Sequence, residues 1–279
     1  MDYASNGDSL KVEIEGMGFS YSDVPVLRDI NLKIEGPQLV CILGPNGVGK
    51  STLIHCMNKI LIPTEGTVKI NGKPVTEFTL KEMAKVVGYV PYASTDTFPL
   101  TVVDTVLMGR HPHSNWKTSQ EDLDLVYKTL KKLEIDDLAM RFFNELSAGQ
   151  HQKVMLARGL VQKPQILLLD EPTSNLDVKH QLGIARLLRQ LSREEDLMVI
   201  MISHDLNIAA KYADSIVLMH DGGIFSVGTP EKVITEPNVK EVYDVNAKII
   251  WDEGCPHLIL EDDELMECPP MKCGSTCTE

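Results

Sequence analysis

Apolar and polar residues alternate at the start of the chain, where Leu10, Val12 and Ile14, then Ile30, Leu32 and Ile34, stand at every second position. That period lays one face of an extended chain on a core and predicts a small antiparallel sheet. Further on, alternation gives way to short unbroken apolar runs, Leu39–Leu43, Ile166–Leu169, Met198–Ile202 and residues 216–219. Strands covered on both faces read this way. Helical spacing separates them. Between 178 and 194, Val178, Leu182, Ala185, Leu188 and Leu191 share one face, so strand and helix alternate as in a parallel α/β sheet. A long insert of different character lies between the first and second runs. In it Ser119, with Asp122 three residues on, opens a segment carrying Leu123, Val126, Tyr127, Leu130 and Leu133 at helical spacing. This predicts a mainly helical subdomain over roughly residues 90–160.

Composition changes this picture in two places. The chain has 279 residues, 43% of them hydrophobic and 24% charged, which is enough to bury a full core. Its 27 basic residues face 40 acidic ones, a net charge of −13, which argues against a nucleic-acid partner. No run approaches the ~18 apolar residues that span a bilayer, and the first residues lack the zones of a signal peptide. A soluble, cytoplasmic protein is expected, reaching a membrane only through a partner. The second change falls near Trp251. Residues 251–279 hold eight acidic residues, one Lys and four of the six Cys. Residues 1–250 are therefore expected to form the folded unit, and 251–279 an acidic, Cys-bearing appendage. In a reducing compartment such thiols are buried groups or metal ligands before they are disulfides.

The chemistry concentrates at two strand ends. The first run leads into Gly44-Pro45-Asn46-Gly47-Val48-Gly49-Lys50-Ser51-Thr52, which fits G-x-x-x-x-G-K-[ST] between a strand and a helix. Glycines there let successive backbone N–H groups turn toward a phosphate, and the helix N-terminus adds partial positive charge. Lys50 is suited to the outer phosphates and the Ser51 hydroxyl to Mg²⁺. The second end is Ile166-Leu167-Leu168-Leu169-Asp170-Glu171-Pro172, two carboxylates where open α/β sheets bind ligands. Asp170 is suited to hold Mg²⁺ through its water shell, and Glu171 to orient or deprotonate a water in line with the terminal phosphate.

Two further elements, Leu146-Ser147-Ala148-Gly149-Gln150 before a helix and His204 at the end of a strand, make a resemblance specific. Over about residues 10–235 the chain resembles the ATP-binding-cassette ATPases, with the phosphate loop, LSAGQ, ILLLDEP, Ser174-Asn175-Leu176-Asp177 and His204 in that family's order. The resemblance implies a P-loop NTPase (RecA-like) α/β core with a small antiparallel β subdomain and an inserted α-helical subdomain. It also implies a homodimer in which each ATP lies between the phosphate loop of one subunit and the LSAGQ segment of the other. Ser147, Gly149 and Gln150 would then act on the partner's ATP, Asp177 would sit at the dimer seam, Tyr21 would stack on adenine, and His204 would be the switch histidine.

The chain departs from the family at Tyr92, where Gln is usual, and at Ala148, where Gly is usual. A phenol is a poor Mg²⁺ ligand, so Tyr92 puts coupling or turnover in question, whereas one methyl at Ala148 is expected to be tolerated. The run Thr101-Val102-Val103-Asp104-Thr105-Val106-Leu107-Met108-Gly109-Arg110-His111-Pro112-His113 resembles importer ATPases for iron-siderophore, haem and cobalamin, where it receives the permease. That implies an ATPase on the cytoplasmic face of a membrane, working with permease subunits and an extracytoplasmic substrate-binding protein. Two alternatives stay open: a soluble ATPase of the same family for cofactor assembly or chromosome work, and a nucleotide- or metal-responsive regulatory module. In the appendage, Cys255, His257, Cys268, Cys273 and Cys277 are either ligands for Zn²⁺ or another thiolate-bound metal, or incidental thiols of a flexible tail.

Overall fold

The computed structural model describes residues 10–92, 99–113, 118–252 and 254–261. The chain opens with two long strands, β1 (Lys11–Tyr21) and β2 (Val24–Glu35), then the short β3 (Leu39–Leu43) and helix α1 (Lys50–Met57). β4 (Glu65–Ile70) and β5 (Lys73–Pro74) follow, then α2 (Leu80–Val86) and β6 (Val87–Val90). Three helices come next: α3 (Val102–Leu107), α4 (Gln120–Lys132) and α5 (Ala148–Leu160). The chain then alternates through β7 (Ile166–Leu169), α6 (Val178–Glu194), β8 (Met198–Ile202), α7 (Leu206–Tyr212) and β9 (Ser215–His220). It closes with β10 (Gly223–Gly228), α8 (Pro230–Val233), α9 (Glu236–Tyr243), β11 (Asn246–Asp252) and β12 (Cys255–Glu261).

The central sheet has the order β10-β9-β3-β8-β7-β6, parallel throughout except that β10 runs antiparallel to β9. β3 shows why its run is unbroken: Leu39, Cys41 and Leu43 face a core shared with α4, α5 and α6, while Val40 and Ile42 face a second core beneath α1 and the antiparallel sheet. Apolar cover on both faces leaves no position for a polar residue. Burial raises the Cys41 thiol well above its ordinary range and the Cys56 thiol to about 11, so both behave as small core groups.

The expected antiparallel sheet is present, in the order β2-β1-β4-β5, with Val12, Ile14, Ile30, Leu32 and Ile34 buried. The alternation slips between Ile14 and Met17, where β1 and β4 cross closely. At Gly66, φ is +67°, and a Cβ would lie 2.2 Å from the Gly16 carbonyl oxygen. No side chain fits there without moving backbone. We expect Gly66→Ala to destabilise the protein by about 2–3 kcal/mol, read as a fall of at least ~4 °C in melting temperature. An unchanged melt contradicts the packing.

The insert between β6 and β7 is helical. α4 begins where the sequence places it: Ser119 accepts from the Asp122 N–H and Asp122 reaches back to Ser119, a reciprocal cap. Two positions depart from the expected faces. Tyr127 is 47% and Val178 70% exposed; Val178 belongs to a first turn of α6 whose residues 178–180 are all exposed. The compositional boundary at residue 250 falls inside β11, which pairs with β12 across it from Asn246↔Glu261 to Asp252↔Cys255. The hairpin docks through Asn207 of α7, whose side chain exchanges hydrogen bonds with the Leu258 backbone at 2.8 and 3.2 Å.

Candidate functional site

The phosphate loop leaves β3 hard against β9. Gly44 has φ +147°, and a Cβ there would stand 2.5 Å from the Met219 carbonyl oxygen, so only glycine permits the turn. α1 begins at Lys50 with Gly49 as its N-cap. The Lys50 ammonium donates to the Gly44 and Pro45 carbonyl oxygens at 2.8 Å each, lying along the loop. Burial lowers its pKa, and Glu171 and Asp170 oppose that shift. Asn46 and Gly47 are exposed at the loop's crest, while Thr52 is buried behind it. Beside the crest opens a cleft of about 690 Å³ lined by Val24, Val26, Arg28, Val48 and His220 with the loop itself. Tyr21, half exposed, ends β1 just before that lining and rests edge-on against Phe19 at 4.8 Å. Nothing in the sequence marked Val26, Arg28 or His220, since their relation to the loop arises across sheets.

A second loop contact was equally hidden. The Tyr243 phenol of α9 faces the Gly44 backbone, and burial pushes its pKa up to about 12 while the Gly44 backbone opposes the rise, so it stays protonated. It lies 199 positions along the chain from its partner and carries no motif.

Behind the loop, the Ser51 hydroxyl donates to Asp170 Oδ1 at 3.2 Å, joining the two predicted strand ends. Asp170 is 7% exposed. Burial raises its pKa and neighbouring Glu171 adds to the rise, against the pull of Ser51, His55 and Lys50. A buried carboxylate beside a hydroxyl is a pair of hard oxygen donors, and Mg²⁺ characteristically takes one or two protein oxygens and completes its shell with phosphate and water. The residues fit that ion.

Glu171 stands in the left-handed region, φ +50°, a conformation that costs free energy in a non-glycine residue and must be held by its surroundings. Three contacts hold it. His204 Nε2 lies 2.6 Å from its Oε1, and the Ser174 hydroxyl donates to its Oε2 at 2.8 Å. The Ser174 N–H also donates to its carbonyl oxygen. Burial works to raise the Glu171 pKa, but the His204 and Ser174 hydrogen bonds outweigh it and hold the group below its ordinary value. It is an ionised carboxylate at neutral pH. The predicted pair Glu171 and His204 is thus brought into direct contact.

The signature segment is built differently. Ser147 caps α5, accepting from the Gln150 N–H while Gln150 Oε1 accepts from the Ser147 N–H. These hydrogen bonds stay within the segment, and Ser147 and Ala148 are exposed. Buried Gly149 sits under the His180 imidazole, where an added Cβ would meet His180 Cδ2 at 2.5 Å. His180 is in turn held by Asp177, which caps α6 and accepts from both its N–H and its Nδ1 side at 2.8 Å. Asp177 and Gly149 therefore share one histidine, which the sequence did not single out.

Residues 101–113 fold as α3 and a short turn. Thr101 and Asp104 cap the helix reciprocally, and the Arg110 Nε donates to Asp122 at 2.8 Å. Their outer side borders a groove of about 360 Å³ lined by Lys81, Asp104, Leu107, Met108 and His111. In the appendage, Cys255 and His257 lie on β12, whereas Cys268, Cys273 and Cys277 fall outside the described residues. Among the described residues, no three His, Cys, Asp or Glu side chains are grouped to hold a metal ion, so the alternative of a thiolate-bound metal finds no support there.

A glycine-rich loop between strand and helix, a lysine lying along it, and two carboxylates at the end of β7, one strand removed from β3, define a phosphate-loop nucleoside triphosphatase. Residues 27–174 match the ABC transporter family model. An uncharacterized ABC transporter ATP-binding protein of Methanocaldococcus jannaschii is 43% identical over 89% of this chain and 97% of its own length. A siderophore transport system ATP-binding protein of Bacillus subtilis is 36% identical over 86% and 88% respectively. Among solved structures, a transporter described as metal-chelate type, in an inward-facing conformation, superposes with a TM-score of 0.81 at 26% identity, covering 92% of this chain and 100% of that one. The chain belongs to the ABC transporter family, as an ATP-binding, ATP-hydrolysing subunit.

Proposed function

We propose that the protein energises import of a metal chelate, of the iron-siderophore, haem or corrinoid class, as a homodimer beneath membrane permease chains. Lys50 and the Gly44, Pro45, Asn46, Gly47, Gly49 and Thr52 segment bind the ATP phosphates, and Tyr21 stacks on the base. Ser51 and Asp170 would hold Mg²⁺, which would supply positive charge to the phosphates of the bound nucleotide. Glu171 orients and takes a proton from the attacking water, and His204, hydrogen-bonded to it, keeps its carboxylate aimed. The exposed signature segment of Ser147, Gly149 and Gln150 completes the partner subunit's site, with Asp177 at the seam. ATP then bridges the halves, and hydrolysis releases them.

The observation that carries hydrolysis is the closed set of contacts Ser51–Asp170 and Ser174–Glu171–His204, from 2.6 to 3.2 Å. The importer assignment is supported by the groove bordered by α3 and by likeness to a siderophore-transport subunit. Among the described residues no helix is long and apolar enough to cross a membrane. Affinity purification from native membranes tests the reading. A polytopic permease is expected to copurify, and a substrate-binding protein with its chelate to name the cargo. Recovery of soluble partners alone would point instead to a permease-free ATPase.

A further inference from the structure

The position of Tyr92 is the chain's clearest departure from its family, and the structure gives its hydroxyl a specific partner. β6 is fixed against the strand end at issue, since the Asp170 N–H donates to the Val90 carbonyl oxygen at 2.9 Å. Two residues on, the Tyr92 phenol oxygen accepts from the Asn175 side-chain amide at 3.3 Å. Asn175 has φ +62° and Glu171 φ +50°, so the turn between them has a left-handed residue at each end and does not hold its shape by backbone preference alone. Ser174, between the two, carries the hydroxyl that donates to Glu171. The contacts close a ring around the carboxylate: Val90 to Asp170 on one side, Tyr92 to Asn175 on the other.

We propose that Tyr92 is a positioning residue for hydrolysis, its phenol holding Asn175 and through it the Ser174–Glu171 contact. This rests on the assignment of Glu171 as the water-orienting carboxylate. It accounts for a phenol at a place where a metal-facing amide is usual: the oxygen is engaged by the turn that carries Ser174, a role in which its weakness as a Mg²⁺ ligand does not matter. A hydrogen bond that preorganises a reacting group contributes to turnover without contributing to ATP affinity.

Steady-state ATP hydrolysis by the full chain tests it, with Tyr92→Phe, Asn175→Ala and the double variant, each checked for folding by thermal melt. Each single variant is expected to lower kcat roughly three- to tenfold with KM for ATP unchanged. The double variant should lose no more than either single one, because both remove the same link. In a Glu171→Gln background, single-turnover hydrolysis should show no further loss from Tyr92→Phe. Wild-type kcat in Tyr92→Phe, a loss confined to KM, or losses that multiply in the double variant would overturn the proposal. If Tyr92→Phe does not fold, Asn175→Ala carries the same expectation from the other side of the bond. Failure of the underlying assignment looks different, since Glu171→Gln itself would then hydrolyse ATP at the full rate.

Discussion

Replacing Glu171 by Gln is expected to cut kcat for ATP hydrolysis roughly a hundred- to ten-thousandfold while leaving ATP affinity within about twofold of the native protein. Gln matches Glu in shape and can keep the Ser174 and His204 contacts at 2.8 and 2.6 Å, so the turn should survive. What is removed is the charge and the ability to take a proton. The groups proposed to bind ATP, the phosphate loop, Lys50 and the Ser51–Asp170 pair, make their hydrogen bonds to one another and not to the Glu171 side chain. The variant should therefore accumulate as an ATP-bound dimer, visible by sedimentation in the presence of ATP and Mg²⁺. Near-native turnover in a folded variant would reject Glu171 as the base. The pH dependence has a definite sign. Burial pushes the Glu171 pKa up, but the hydrogen bonds from His204 and Ser174 bring it below the ordinary carboxylate value. The ionised form thus persists through neutral pH, and the loss of rate due to this group should appear only as pH falls through the acid range below that value.

Gly149→Ala is expected to lower turnover roughly a hundredfold and to destabilise the fold by about 1–2 kcal/mol. The new Cβ would meet His180 Cδ2 at 2.5 Å and two further imidazole atoms at 3.0 Å. Either the imidazole leaves Asp177, loosening the cap of α6, or the first turn of α5 shifts away. Both displace groups proposed to face the partner's ATP, where a shift of a few tenths of an ångström weakens a phosphate contact. The two costs are separable. Adding His180→Ala removes the side chain that the methyl strikes, so the double variant should melt at the temperature of His180→Ala alone. Its turnover should stay low, because the methyl still stands at the N-terminus of α5. Recovery of full activity in the double variant would show that Gly149 serves only to accommodate His180.

The parts of the protein legible in advance were those in which neighbours along the chain are neighbours in space. The phosphate loop is nine consecutive residues whose chemistry belongs to their own backbone. The cap of α4 at Ser119 and Asp122 and the strand-end pair Asp170 and Glu171 are local in the same sense. The LSAGQ cap of α5 also behaves as its sequence requires. The faces of strands and helices were largely legible, although Val178 and Tyr127 were placed inward and stand exposed. Periodicity says which residues can share a face but not how far along the helix the partner reaches.

By itself, then, the sequence determined the class of core and the nucleotide chemistry, and it singled out the residues proposed to carry that chemistry, because each depends on spacing within one short segment. Tertiary structure alone decided how those segments are wired together. The hairpin of β11 and β12 runs across the charge shift at Trp251, since strand pairing and the Asn207 contact override composition. Tyr243 meets Gly44, His180 covers Gly149, and Tyr92 reaches Asn175 across 83 positions. Contacts of that kind leave no local trace, because the energy of a long-range hydrogen bond or a packed ring depends on where the rest of the fold delivers its partner, and no periodicity along the chain records that delivery.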